Sequence, residues 1–292
     1  MDSINEIFRS FGPEYLNRYG QMPASHRKTI DAIVSCRTID RGLIIYKCQS
    51  CGKVHTVFQS CGNRHCPQCQ YQKSQAWLGK QLQRQLPGHH FMVTFTVPDS
   101  LRFVIRSHQR TCYSALFKAS SATIKKLASD DTFIGGDLPG FFGVLHTWGR
   151  QLQYHPHIHY IVPGGAISKA DLSWHPSRVD FLMPVRAMSK IFKAKFRDEM
   201  KAAGLYALID KTVWQIDWNV NCQAVGSSEH SLKYLAPYVF RVAISNSRII
   251  KVENRRVFFK YRKKGSRRMR VASLDVMEFM RRFLQHVLPS AS

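Results

Sequence analysis

Tyr154-His155-Pro156-His157-Ile158-His159-Tyr160-Ile161-Val162-Pro163 is the stretch on which the reading of the whole chain turns. After Pro156 polar and apolar residues alternate and β-branched residues are frequent, the pattern of a half-buried strand. His157 and His159 then project from one face, with His155 a candidate for the same row. Two imidazoles on one strand face can share a metal ion. Gly164-Gly165 reads as the turn that closes the strand, and Phe141 to Trp148 is a run able to pair alongside it.

Around this strand the chain is long enough, at 292 residues, for one large core or a core plus a small module. Residues 1–35 read as helical, with Ile4, Ile7, Phe8 and Phe11 at helical spacing, a break at Gly12-Pro13 and a second amphipathic run from Ala24 to Val34. A helix from Gln70 to Leu86 ends at Pro87-Gly88, which predicts a boundary between a module at 1–88 and a main domain at 89–292. Phe91 to Val97 reads as the first strand of the main domain. Leu101–Leu127 and Arg186–Ala203 follow as helices, with an irregular connection from Ala166 to Pro184 between them. Trp214–Val220 alternates as a further strand, and Ser228–Arg241 is a helix that Pro237 should kink. Ile249–Val252 and Arg256–Tyr261 form a hairpin around Asn254, and a helix from Leu274 to Val287 closes the chain.

Six of the eight cysteines lie between positions 36 and 69, interspersed with histidines. In a reducing compartment that pattern fits metal binding better than disulfides. Two Cys-x-x-Cys turns let Cys48, Cys51, Cys66 and Cys69 converge on one zinc. Cys36, His55, Cys61 and His65 form a second four-ligand set, so one or two structural zinc ions are expected. Such closed sites supply folding energy and offer no open position for a substrate.

The formal charge of +24, from 43 Lys and Arg against 19 Asp and Glu, exceeds what solubility requires and favours a polyanionic partner, nucleic acid first. Basic residues concentrate near the C-terminus, where Arg255, Arg256, Lys260, Arg262, Lys263, Lys264, Arg267 and Arg268 surround Phe258, Phe259 and Tyr261. Cations mixed with stacking faces suit a DNA backbone and unpaired bases. No apolar run is long enough to span a membrane and no signal peptide opens the chain, which predicts a soluble cytoplasmic protein, nucleoid-associated when bound to DNA.

Tyr234 and Tyr238 stand one helical turn apart, with His230 a turn earlier and Arg241 near the following turn. A tyrosine hydroxyl is almost wholly protonated near neutral pH and needs activation to act as a nucleophile. Arg241 and a divalent ion on the His pair would lower its pKa and stabilise charge on a phosphate. His157-Ile158-His159 resembles the histidine-hydrophobic-histidine motif of rolling-circle nucleases, and Tyr234-x3-Tyr238 resembles their paired tyrosines. More specifically, three features are together similar to insertion sequence 91 type transposases, from about residue 10 to 288. They are Ser60-Cys61-Gly62-Asn63-Arg64-His65-Cys66-Pro67-Gln68-Cys69, the His155–His159 segment followed by Val162-Pro163-Gly164-Gly165, and Tyr234 to Ser245.

The resemblance implies a transposase that nicks and rejoins single-stranded DNA, at transposon ends and target, through a 5′-phosphotyrosine. His157 and His159 carry over as ligands of a catalytic Mg²⁺ or Mn²⁺, and Tyr234 and Tyr238 as nucleophiles. The third metal ligand stays open among His230, Glu229, Gln223 and His155. A replication initiator of the same chemistry and a non-catalytic DNA-binding protein are the alternative readings. The expected fold is α+β, a mainly antiparallel central sheet with flanking helices, preceded by the small helical and zinc-binding module.

Overall fold

Antiparallel pairing organises the chain, which a computed structural model describes over residues 3–70, 73, 76, 80, 88–227, 242–262, 266 and 268–289. The helices, in chain order, are α1 (Ile4–Arg18), α2 (Ala24–Ser35), α3 (Arg102–Ser107), α4 (Gln109–Ala128), α5 (Val185–Ala202) and α6 (Val276–Leu284). The strands are β1 (Leu43–Lys47), β2 (Val54–Phe58), β3 (His89–Thr96), β4 (Phe142–Trp148), β5 (Tyr154–Pro163), β6 (Gly165–Ile167), β7 (Trp174–Pro176), β8 (Asn219–Ser227), β9 (Ile249–Glu253), β10 (Arg256–Arg262) and β11 (Met269–Asp275). By contacts the chain forms two units. One comprises residues 1–76, 148–154 and 240–292, the other residues 77–147 and 155–239. The basic strands and last helix, which a division at residue 88 groups with the second domain, thus belong to the unit of the cysteine-rich segment. Among the described residues no helix is long and apolar enough to cross a membrane.

The second unit holds the α+β sheet expected from sequence, in the order β4-β5-β3-β8. Phe91, Val93 and Phe95 of β3 stand opposite Val162, Tyr160 and Ile158 of β5, and all six are buried. Helices cover that face. Phe192 of α5 meets Phe95 with ring centroids 5.0 Å apart, and Ser120 of α4 hydrogen-bonds the Tyr160 hydroxyl at 2.8 Å. Gly143 of β4 is required here because the Tyr160 ring fills the space a Cβ would take. The opposite face carries His157, His159, Thr94 and Thr96, as a period of two demands.

The strand expected at Trp214–Val220 begins only at Asn219. Lys211–Trp214 is a 3₁₀ turn, Trp214 and Trp218 stack at 5.7 Å, and the Trp218 indole donates to the Val213 carbonyl at 3.0 Å. Burying the Trp218 indole beside Phe192 and Phe196, with Trp214 stacked on it, outweighs the alternation that suggested a strand.

In the first unit the two ends of the chain share one core. Ile4, Ile7 and Phe8 of α1 and Ile30 and Ile33 of α2 are buried together with Val257 and Phe259 of β10 and Phe279 and Phe283 of α6. Phe8 packs edge-on against Phe283 at 5.2 Å, the Ile4 amide donates to Asn246 Oδ1 at 3.0 Å, and Arg255 pairs with Glu14 at 2.6 Å. Helix α1 runs through Pro13 instead of breaking there, because the core stripe from Ile4 to Tyr15 compensates for one lost backbone bond. The closing helix starts at Val276, where Asp275 caps it by accepting from the amides of Met277 and Glu278. That leaves residues 269–275 free to add β11 as a third strand, order β11-β10-β9.

Phe279 is fully buried and its ring lies 6.1 Å from Phe259. Phe279→Ala should therefore destabilise the first unit by about 3–5 kcal/mol in urea unfolding, whereas Val271→Ala on exposed β11 should cost under about 0.5 kcal/mol.

Candidate functional site

Four cysteine sulfurs converge in the first unit, and the set is Cys36, Cys61, Cys66 and Cys69, all within 4.8 Å of one another. Of the expected first set, Cys66 and Cys69 are here while Cys48 and Cys51 are not; of the second, Cys36 and Cys61 are here while His55 and His65 are not. The physical reason is a hairpin. Pairing from Leu43↔Phe58 to Lys47↔Val54 draws residues 36 and 61 together at its base, where the Arg37 amide donates to the Gln59 carbonyl at 3.0 Å. Five residues of strand then carry the Cys48-x2-Cys51 turn roughly 16 Å away from that base. His55 lies exposed on β2, and burial holds the His65 imidazole uncharged, down to about 3.

The geometry suits zinc. Sulfur separations of 3.7 Å for Cys36–Cys69, 3.6 Å for Cys61–Cys69 and 3.6 Å for Cys66–Cys36 match the spacing of about 3.8 Å that tetrahedral ligands impose at a Zn–S distance of about 2.3 Å. Four crowded thiols cannot all ionise without a cation. Cys66, accepting first from Cys61, is held down to about 5, while burial pushes Cys36 up to about 11 and the bond to Cys66 raises Cys61. The Asn5 amide lies 3.8 Å from the Cys66 sulfur and also donates to the Ile33 carbonyl, which ties the cluster to both N-terminal helices. At the hairpin tip, the Ser50 hydroxyl 3.0 Å from its sulfur holds exposed Cys48 down to about 6.

A second cluster lies on the other face of the four-stranded sheet, with His146 buried and His157 and His159 half-buried. His146 of β4 joins His157 and His159 of β5, each offering a ring nitrogen within 4.8 Å of the others. Ring centroids are 5.5 Å apart for His146–His157, 4.9 Å for His146–His159 and 4.7 Å for His157–His159. The backbone fixes the tautomer of His157. His157 Nδ1 lies 2.7 Å from the His155 carbonyl oxygen, which can only accept, so Nδ1 carries the proton and Nε2 is the bare lone pair. His159 Nδ1 lies 2.9 Å from Oγ1 of Thr94, its opposite residue in the ladder, a hydroxyl that can donate or accept and so orients the ring. Three imidazoles this close could hold one divalent ion through a ring nitrogen each.

His155 shares the face but serves a different purpose. Arg102 donates to its Nδ1 at 3.0 Å, Asp99 lies 2.5 Å from the guanidinium, and burial followed by the Arg102 charge depresses the imidazole pKa. Its ring is therefore tied to Arg102, while its carbonyl orients His157. Gln223 stands opposite Met92 in the ladder, beyond the Thr94 row. His146 was missed because it lies in the neighbouring run Phe141–Trp148. The signal available was that this run was expected to pair beside the His strand.

Glu229, His230, Tyr234, Tyr238 and Arg241 lie outside the described residues, as do Lys263, Lys264 and Arg267. Of the remaining basic candidates, Arg256, Lys260 and Arg262 alternate along the exposed side of β10, and Arg268 is exposed beside β11. Arg255 is engaged with Glu14 and the Phe11 ring, and Arg256 donates to Ser273 Oγ at 2.9 Å. Phe259 is a core residue, whereas Phe258 faces outward with Lys251 Nζ 5.4 Å from its ring centroid.

Residues 140–292 match the family described as "Putative transposase", and residues 7–97 match the "Transposase zinc-binding domain" of insertion sequence 91 type. A relative from Sinorhizobium fredii, named "Putative transposase y4qJ", is 32% identical over 306 residues, covering 98% of this chain and 77% of its own length. The transposase for insertion sequence element IS801 from Pseudomonas savastanoi pv. phaseolicola is 25% identical over 287 residues, covering 89% of this chain and 66% of its own. No solved structure matches the chain. A paired-strand histidine cluster, a zinc-binding cysteine domain at 7–97 and full-length similarity to a transposase lead to one assignment: the chain belongs to the insertion sequence 91 type transposases with an N-terminal zinc-binding domain.

Proposed function

We propose that this transposase cuts and rejoins single-stranded DNA through a 5′-phosphotyrosine intermediate, in rolling-circle-type transposition. The observation that carries the reading is the three-imidazole cluster of His146, His157 and His159 on the sheet. These residues would hold a divalent ion, which when bound supplies charge to a non-bridging phosphate oxygen and lowers the pKa of a nearby hydroxyl. Three nitrogen donors favour Mn²⁺ over Mg²⁺, which prefers oxygen ligands.

Tyr234 or Tyr238 is the nucleophile. Its Oη forms a bond to phosphorus as the bond from phosphorus to the 3′ oxygen breaks, and the phenolic proton ends on the released 3′ hydroxyl. One phosphodiester replaces another, so the reverse attack by a 3′ hydroxyl rejoins the strand without an external energy source. Two tyrosines allow two such transfers in succession. Arg241 steadies the phosphate charge, and Arg102 keeps the His155 segment, and with it the His157 carbonyl contact, in position. The exposed side of β10, with Arg256, Lys260 and Arg262, contacts DNA phosphates. The cluster of Cys36, Cys61, Cys66 and Cys69 holds a structural zinc, worth on the order of 10 kcal/mol to a small module.

Incubation with a single-stranded oligonucleotide from the element's end and Mn²⁺ should yield a covalent protein–DNA adduct that the Tyr234→Phe, Tyr238→Phe double variant does not form. An adduct that persists in the double variant would reject these nucleophiles, and binding without any adduct in the parent would reject the reaction. His146→Ala should cut the adduct rate at least about 100-fold, and Thr94→Val should weaken Mn²⁺ binding about 10-fold by calorimetry. Equal Mn²⁺ affinity in His146→Ala and the parent would remove His146 from the ligand set. Cys61→Ser should release one zinc per chain and lower the urea midpoint of the first unit, outcomes read by metal analysis and circular dichroism.

A further inference from the structure

We propose that Cys48 and Cys51 are half of a zinc site that a second copy of this chain completes, so that one zinc joins two chains through their β1–β2 hairpins. The turn itself is built for the metal. Cys48 and Cys51 are both exposed at the hairpin tip, the Gly52 amide donates to the Cys48 carbonyl at 2.9 Å, and the Cys48 amide donates to the Lys53 carbonyl at 2.9 Å. Gly52 has φ +70°, a conformation that favours glycine and lets the chain double back with both sulfurs presented. Two thiolates occupy two of the four tetrahedral positions of zinc.

The other two positions have no occupant in the same unit. Among the described residues no third Cys, His, Asp or Glu gathers with this pair, and Cys36, Cys61, Cys66 and Cys69 are committed to one another. Beyond the described residues, Asp2 is the one such side chain that this unit contains. Two copies related by a two-fold axis each give the same pair, and four thiolates close the site.

Two further features of the hairpin favour a second copy. Four thiolates around Zn²⁺ carry a net charge of −2, and Lys47 and Lys53 flank the turn in each chain, so the cations needed to offset that charge are present on both sides. The ribbon is also apolar on both faces and uncovered: Ile45 is 62% exposed, Tyr46 56% and Val54 56%, with Ile44, Val57 and Phe58 exposed beside them. A two-stranded ribbon alone is marginal in water. The face with Ile45, Val54 and Phe58 gives a second copy an apolar surface to pack against beside the shared site. Coordination releases the thiol protons, and the inference stands independently of the strand-transfer reading.

The test uses the full chain with zinc and a reductant, its mass measured by light scattering and its metal by plasma mass spectrometry. A dimer with about three zinc ions per two chains is expected, one in each Cys36 cluster and one shared. Cys48→Ser, Cys51→Ser should be a monomer with about one zinc per chain and an unchanged far-UV spectrum. Loss of a whole zinc per chain at unchanged mass would mean closure within one chain, with His55 the nearest candidate, and would overturn the proposal. So would a variant that stays dimeric, a parent that is monomeric with one zinc, or a dimer that reductant dissolves while its zinc content holds.

Discussion

Among the described residues, both candidate metal centres depend on the register of an antiparallel ladder. A hairpin brings together whatever precedes its first strand and follows its second, and it carries its turn away from both. Cys36 and Cys61 meet for the first reason and Cys48 and Cys51 are set apart for the second. The same rule acts in the sheet, where the pairing of Thr94 with His159 and of Thr96 with His157 fixes which face the imidazoles share. A slip of one residue would turn both histidines into the helix-packed side, where Phe95, Ile158 and Tyr160 are buried. The hydrophobic face therefore specifies the polar one.

Charge explains why these side chains are held so firmly. A net +24 suits a polyanionic partner, yet it would also favour neutral over protonated histidine wherever cations lie close. His155 illustrates the point, since Arg102 beside it favours the neutral ring, and a neutral ring can accept from the guanidinium. His157 and His159 are held through their Nδ1 atoms by partners with no net charge, a carbonyl that accepts and a hydroxyl that can do either. Their ring orientations are thus set by hydrogen bonds within the protein.

Much of this was legible in the sequence, and the failures have physical causes. The strand from Tyr154 to Pro163 and its facing histidines follow from period-two alternation, which side-chain burial enforces on any half-covered sheet. The cysteine grouping did not follow, because Cys-x-x-Cys spacing reports local turns while the choice of partners depends on a β1–β2 pairing between them. Alternation there was obscured because Leu43-Ile44-Ile45-Tyr46 is apolar on both faces. The third histidine was hidden for a related reason: His146 reaches the site across a strand boundary that no spacing within one segment encodes. The family resemblance did name the family, since it rests on the order of several motifs along the chain and not on contacts between them.

The division of the chain is where linear reading is weakest. A boundary near Pro87-Gly88 is a sound inference from helix-breaking residues, but a module of residues 1–88 would leave Ile4, Phe8 and Ile33 without Val257, Phe279 and Phe283, which are buried in the same core. The cysteine cluster sits within that core: Cys36, Cys66 and Cys69 are buried in it, and Asn5 of α1 reaches the Cys66 sulfur. Zinc can tie four sulfurs together, but the helices that present Asn5 and Cys36 are positioned by apolar surface that the C-terminal sheet and helix supply. The basic strand β10 is thus mounted, through Val257 and Phe259, on the same core that holds Cys36, Cys66 and Cys69. The position of the cysteine cluster near one end of the chain and that of the basic, exposed side of a strand near the other follow from a single packing arrangement.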